Sequence, residues 1–470
     1  MKGIRAGAIA LVALLVCAPS APAGPRAAGA ARPGPPESSA AGPPPLAIVH
    51  GTIIDGRGGP PIADGTVVVR GGRIESVGPS AGIAVPKDAR IIEARGKSVL
   101  PGLADLHVHL TGGWDGVNID FLGYQRYLNS LLYAGVTTVL DTGNNQAYIL
   151  QMRQEVAQGR LLGPRIYCTG AMIDGADPAW PDLAYAVAST SQIPGIVQRD
   201  KQAGVDLIKG YANLSIRLLQ SLTEAAGKAG LRVVVDQWDR NGSPDVARAG
   251  IAGFAHLPTR VMSPEDIQVL KEKGLFLITT LAVNESFARP RFRDHPDFLA
   301  TPLIADTTPA WLLGDLRAFV ARPNPEETRE KSERYQQELR ESMTNARKLH
   351  DAGLLLGAGT DAPYPGVFHG EGLHRELELL VASGLTPLQA IRAATYDAAR
   401  ILKAEEVWGS LQPGRRADVL VVAGNPAERI GDTRAIEVVI KEGVVLDRKA
   451  LRFDPARDPD LRPTPGIFVE

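Results

Sequence analysis

The run Leu103-Ala104-Asp105-Leu106-His107-Val108-His109-Leu110 ends in two histidines one residue apart. In an extended strand side chains alternate faces, so His107 and His109 project to the same side. Two imidazoles leaving one strand end on one face make half of a transition-metal site. Taken alone, the pair also fits a strand whose histidines are satisfied by hydrogen bonds, so the position of other donors decides. Lys209 follows Asp206-Leu207-Ile208, and Asp236 follows Arg232-Val233-Val234-Val235. His256 follows Gly253-Phe254-Ala255, and Asp361 follows Gly357-Ala358-Gly359-Thr360. Each of these residues stands at or just past the end of a short run of strand type, and Tyr211 and Trp238 lie just beyond two of them.

The elements that must position these residues follow from the texture of the chain. After Pro101-Gly102, short apolar runs alternate with helix-length segments. The runs are 103–108, 137–140, 165–168, 206–209, 232–235, 253–256, 275–278 and 354–357. Eight strands interleaved with helices predict an α/β fold, a (β/α)8 TIM barrel over residues 102–403, although a doubly wound sheet has the same periodicity. In such a barrel the functional residues gather at the C-terminal strand ends, where His107, His109, Lys209, Asp236, His256 and Asp361 all fall.

Both flanks read differently. Residues 46–101 and 404–455 carry β-type runs separated by Gly and Pro turns, such as Thr66-Val67-Val68-Val69 and Asp418-Val419-Leu420-Val421-Val422. They predict one discontinuous β-sandwich whose halves pair across the barrel, with His50 as a structural residue. Between the seventh and eighth strands, residues 282–324 have the Pro, Arg and aromatic content of a long functional loop, a lid in prospect. A charged amphipathic helix is expected from Pro325 to Asp351, with His295 and His350 as surface or packing residues.

Residues 1–23 have the layout of a signal peptide, with Lys2 and Arg5, an apolar run from Ala6 to Val16, and Ala21-Pro22-Ala23 for cleavage. Cys17 invites a lipoprotein reading, but Val16 before it is bulkier than that signal prefers. The expectation is an exported protein, periplasmic or extracellular, tethered by a Pro/Ala-rich linker (24–45) and ending in an extended tail (456–470). Cleavage at Ala23 leaves only Cys168, so no intrachain disulfide forms. The 470 residues, 44% apolar with net charge −1, support a large core and give no argument for nucleic acid. No run is long enough to span a membrane. A homo-oligomer is compatible with the sequence.

The segment 99–110, Asp206-Leu207-Ile208-Lys209, His256 and Gly357-Ala358-Gly359-Thr360-Asp361 resemble the amidohydrolase superfamily of metal-dependent hydrolases. The resemblance continues in Ala390-Ile391-Arg392-Ala393-Ala394-Thr395 and in Gly409-Ser410-Leu411 with Pro413-Gly414-Arg415-Arg416-Ala417-Asp418. The order and spacing of these pieces look most like the imidazolonepropionase-related and prolidase-like branch. The resemblance implies one or two divalent ions, zinc foremost, and hydrolysis of amide or peptide bonds. His107, His109 and Asp361 would hold the more buried ion, and His256 would help hold a second. Lys209, carboxylated by carbon dioxide, would bridge them as a carbamate. Asp361 would carry the proton to the leaving nitrogen, and Tyr211 would donate a hydrogen bond to the substrate.

One position departs from the pattern. The family ends its fifth strand in histidine, and here Asp236 stands in that place, followed by Gln237-Trp238. Asp236 may be read as a replacement ligand, since carboxylate oxygen also binds zinc or manganese. Alternatively, His369 or His374 swings in from beyond the eighth strand, or the second site is degraded. His369, in a Gly-rich stretch, is also a candidate substrate contact. The function expected is C–N bond hydrolysis in a small peptide, N-acyl amino acid or cyclic amide. The alternative is a non-catalytic or weakened ligand-binding barrel.

Overall fold

Valine-rich runs with glycine turns between them open and close the chain, and in the computed structural model they meet. The described residues are 44–113, 120, 121, 123–236, 242–289, 291, 292, 295–321 and 329–457. The proposed signal peptide, Cys17, nearly all of the linker, Gln237, Trp238 and most of the tail lie outside them. Strands β1 (Leu46–Ile53), β2 (Ile62–Arg70), β3 (Arg73–Pro79), β4 (Arg90–Glu93) and β5 (Lys97–Pro101) precede the central domain. That domain contributes β6 (Leu103–Val108), β7 (Val136–Asp141), β8 (Arg165–Cys168), β9 (Met172–Asp174) and β10 (Ala184–Ala186). It continues with β11 (Ile208–Gly210), β12 (Val233–Asp236), β13 (Gly253–Ala255), β14 (Phe276–Ile278) and β15 (Leu355–Gly357). Strands β16 (Val419–Ala423), β17 (Ile436–Lys441) and β18 (Val444–Val445) follow it.

The flanks form one eight-stranded sheet in the order β18-β17-β16-β5-β1-β2-β3, with β4 on β1. The join is the antiparallel pair β5–β16, with Val99 opposite Val421. Alternation puts Ile48, Val67, Val99, Val419 and Ile440 into one apolar cluster. The predicted pairing of the two flanks is therefore present, although the described strands belong to one sheet and not to the two layers of a sandwich. Gly135, at φ 74, lets the turn before β7 reach this sheet, since a Cβ there would lie 2.8 Å from Leu420.

The central domain is an α/β, TIM-barrel-like unit of parallel strands. Its strands fall into two sheets, β6-β7-β8 and β10-β9-β11-β12-β13-β14-β15, and not into one closed ladder. Backbone bonds link their margins: Asp206 N–H donates to Cys168 O at 2.9 Å, and Leu106 N–H to Ala358 O at 2.9 Å. Each of the eight expected strands is present, shifted by two residues at most, while the short β9 and β10 are additional. Helices between them begin and end where the sequence dictates. Ser215 caps Ile216–Ala229 by accepting from Leu218 N–H, and Gly230, in the left-handed region, ends it. Among the described residues no helix is long and apolar enough to cross a membrane.

The expected loop at 282–324 is instead largely helical. Leu281–Ala288, Pro302–Ala305 and Ala310–Ala321 are helices and Pro296–Ala300 is a 3-10 turn. Its prolines start elements, as Pro302 does at the first helical position after Thr301. Phe292, Phe298, Ile304, Leu312 and Leu316 give the insertion a small core of its own. The helix Arg329–Asp351 follows as expected, burying Leu339, Ala346 and Leu349.

A buried ionic junction ties insertion, central domain and flank together. Glu371, at the start of helix Glu371–Ala382, accepts from Arg291 at 2.5 and 3.1 Å and from Arg434 at 2.6 Å. Burial by itself would raise the Glu371 carboxyl, but the two guanidiniums outweigh it and hold it at about 2.

Candidate metal centre

Strand β6 delivers both histidines to one place. His107 Nε2 lies 3.3 Å and His109 Nε2 3.1 Å from the same oxygen, Asp361 Oδ1. The ligand atoms of the three residues all fall within 4.8 Å of one another. Asp361 reaches this position through a left-handed backbone (φ 64), and its N–H donates to His107 O at 2.7 Å. His256 is left-handed too (φ 67). Such conformations are unfavourable outside glycine and recur at functional sites. Gly359 permits the close approach, because a Cβ there would sit 2.8 Å from His107 Cβ.

Hydrogen-bond chemistry shows what this trio can hold. His109 Nδ1 is 2.9 Å from Gly143 O, and a carbonyl only accepts, so Nδ1 carries the proton. Burial by itself would lower His109, but the Asp361 carboxylate 3.1 Å from Nε2 outweighs it and raises the ring; a divalent ion between the two would take the place of the Nε2 proton. The bond from Nδ1 to a carbonyl is the orienting contact usual for a ligating histidine. His107 is 1% exposed, and burial, together with the nearby Lys209 charge, holds it well below the usual imidazole range and thus neutral. Two imidazole nitrogens and a carboxylate oxygen facing one another fit a divalent cation.

The other three candidates make a second cluster, which is fully buried. Asp236 Oδ2 lies 3.2 Å from Lys209 Nζ and 3.2 Å from His256 Nε2, and none of the three residues is more than 2% exposed. His256 Nδ1 is 2.7 Å from Thr280 Oγ1. The clusters adjoin, since the His107 and His256 rings have centroids 4.6 Å apart.

Tyr211 sits at the edge of the site, where Trp180 Nε1–H donates to its hydroxyl at 3.1 Å. Burial, then Asp236 and Asp361, push its phenol up, so it stays a neutral donor. His369 is buried, with its ring tilted against Tyr127 at 4.4 Å between centroids and Nε2 3.3 Å from His109 O. It lines a cleft with Tyr127, Leu312 and Phe368 beside the insertion. His374, one of the alternative ligands, sits on the helix Glu371–Ala382 as a packing residue. Its Nδ1 is 2.9 Å from Thr433 Oγ1 and its Nε2 2.9 Å from Ala134 O, so both nitrogens are used in packing and none turns to the site.

Several supporting residues were not singled out from the sequence. Asp105 accepts from the N–H and hydroxyl of Thr360 at 3.1 and 2.7 Å and so braces the segment that carries Asp361. Asp141 accepts from Leu110 N–H and from the Asn144 amide, fixing the turn after His109. The signal for Asp105 was available: it precedes His107 by two residues and shares its face.

Comparison with known proteins gives the family. Adenine deaminase 3 of Rhizobium meliloti (strain 1021) is 24% identical over 86% of this chain and 58% of its own length. This chain spans little more than half the length of the adenine deaminases it matches. Imidazolonepropionase of Alkaliphilus metalliredigens is 23% identical over 77% of this chain and 84% of that protein. Among solved structures, a prolidase candidate from Bifidobacterium longum matches with TM-score 0.67 and 26% identity, covering 87% of this chain and 98% of that one. A Xaa-Pro dipeptidase with bound methionine matches with TM-score 0.70 and 22% identity, covering 86% and 100%. The amidohydrolase family model matches residues 98–446, most of the sequence and all of the site, and the chain belongs to that family.

Proposed function

We propose that this protein is a metal-dependent hydrolase that cleaves the C–N bond of a small peptide, N-acyl amino acid or cyclic amide. The observation that carries this reading is the convergence of His107 Nε2 and His109 Nε2 on Asp361 Oδ1. These three residues would hold one divalent ion, zinc being the best match to two imidazoles and a carboxylate. When bound, such an ion supplies Lewis acidity and lowers the pKa of water toward neutrality. Asp361, 16% exposed at the mouth, is placed to take a proton from water and return it to the departing nitrogen. Tyr211, whose hydroxyl accepts from Trp180, would donate to a substrate carbonyl, as the resemblance implies. A second ion bridged through a carboxylated Lys209, with His256 and Asp236 as ligands, is what the resemblance implies.

The reading extends to architecture and address. The two parallel sheets correspond to one eight-stranded barrel, the flanks to its accessory β domain, and residues 1–23 to an export signal. His369 and the insertion would border the substrate. The relatives' names point to prolidase, cyclic amidase and deaminase chemistry, so the test is a panel of Xaa-Pro and other dipeptides, N-acyl amino acids, cyclic amides and adenine. Turnover of at least one, abolished by chelation and restored by zinc, is expected. Ligand binding without turnover of any would favour the non-catalytic barrel.

A further inference from the structure

We propose that Glu376 is a positioning residue of the metal centre: it caps the helix Leu281–Ala288 in place of Thr280, and so leaves the Thr280 hydroxyl to hold the His256 ring. The inference rests on the reading of His107, His109 and Asp361 as a metal centre, with His256 beside it, and it concerns what aims that neighbour.

The helix Leu281–Ala288 starts shortly after β14, and Leu281, Ala282 and Val283 in its first turn are all buried. The N–H groups of a first helical turn have no partner within the helix, and here water cannot supply one. A threonine just before a helix ordinarily meets this need with its own side-chain oxygen. Thr280 makes no such bond. Its hydroxyl lies 2.7 Å from His256 Nδ1 instead.

The missing acceptor comes from another helix. Glu376, fully buried on Glu371–Ala382, accepts from Ala282 N–H at 2.7 Å, with Leu281 N–H alongside. A carboxyl can accept an N–H in either protonation state, so the cap does not depend on its charge. The adjacent Arg375 holds the same helix about one turn further on, donating to Glu285 at 2.8 and 2.5 Å. Glu371–Ala382 therefore fixes both the start and the body of Leu281–Ala288, and with them Thr280. If Glu376 were lost, Thr280 would be the ordinary replacement cap. To serve as one its oxygen must rotate toward the helix, which takes it off His256.

The test uses the full zinc-loaded chain with its eight histidines labelled with ¹⁵N, the His256 ring signals being assigned by their loss in His256→Asn. Glu376→Met removes the acceptor at similar size and is expected to shift the His256 Nδ1 signal with zinc content unchanged. Glu376→Gln keeps a carbonyl oxygen for Ala282 N–H and is expected to leave that signal at its parent position. Thr280→Val should shift Nδ1 as well, and adding Glu376→Met to it should move the signal no further, because the two residues act in series. If Glu376→Met does not fold, Glu376→Asp, whose carboxyl is one methylene short of Ala282, takes its place with the same shift expected. A His256 signal that stays put when the acceptor is removed, that moves as far in Glu376→Gln, or that moves again in the double variant overturns the proposal and leaves the metal centre intact. A parent chain that retains no zinc overturns the metal-centre reading and the proposal with it.

Discussion

Two regions of this molecule bury charge, and they do so in opposite ways. At the Arg291–Glu371–Arg434 junction each charge is saturated by partners, and Glu371 accepts from two guanidiniums within 3.1 Å. At His107, His109 and Asp361 the donors face one another, so the cluster is complete only with a cation or proton between them. Saturated charge contributes stability and under-satisfied charge contributes binding, because the energy is released only when the missing partner arrives. The two regions should therefore respond oppositely to substitution.

The largest expected effect is at the metal centre. His107→Ala should abolish zinc retention and lower kcat/KM by more than about 10³-fold, while urea unfolding of the zinc-free protein changes little. A variant that loses stability as steeply as activity would erase the contrast. At the junction the reverse is expected. Glu371→Gln leaves two guanidiniums partly unpaired and should cost roughly 3 kcal/mol in urea unfolding, the scale for breaking a buried pair, with zinc content unchanged. The same residue sets a pH window. Its carboxyl is held at about 2 in the fold, against an ordinary value of 4.5, so its contribution is present above 4.5 and is lost as pH falls toward 2. That lost contribution is about 3 kcal/mol, and Glu371→Gln should flatten this acid limb.

The smallest predicted effect sharpens the boundary between the two kinds of site. Thr280→Val removes the partner of His256 Nδ1 and should cost about 1 kcal/mol of stability without altering zinc affinity. A 10–100-fold loss of affinity, the effect usual for the partner of a ligating histidine, would move His256 into the metal centre.

The parts of this fold legible in sequence are those in which one physical rule dominates. Period-two alternation and apolar runs gave the central strands, and the positions of His107, His109 and Asp361 at strand ends followed from that. The insertion was misread because Pro296 and Pro302 serve equally as loop markers and as first residues of helical turns. His374 could be read as a packing residue from its place on a helix, but not its partners, because Ala134 and Thr433 are distant along the chain. The Asp236 departure was visible, but its meaning was not. Whether a carboxylate at that strand end meets an ion or a lysine depends on distances between neighbouring strands, which composition and spacing do not encode.

The pairing of β5 with β16 has a consequence for how the chain comes into being. Ser98 Oγ donates to Gly424 O across 326 residues of sequence. During synthesis β5 emerges well before β16 and keeps one hydrogen-bonding edge open until β16 has been made. Contacts of such long range make folding slow, because the entropy of closing the intervening loop must be overcome before the contact contributes. The central domain, bracketed by this contact, is therefore expected to reach its final stability late, when the last strands close the sheet. Until that strand is made, the intervening domain is held by its own contacts alone.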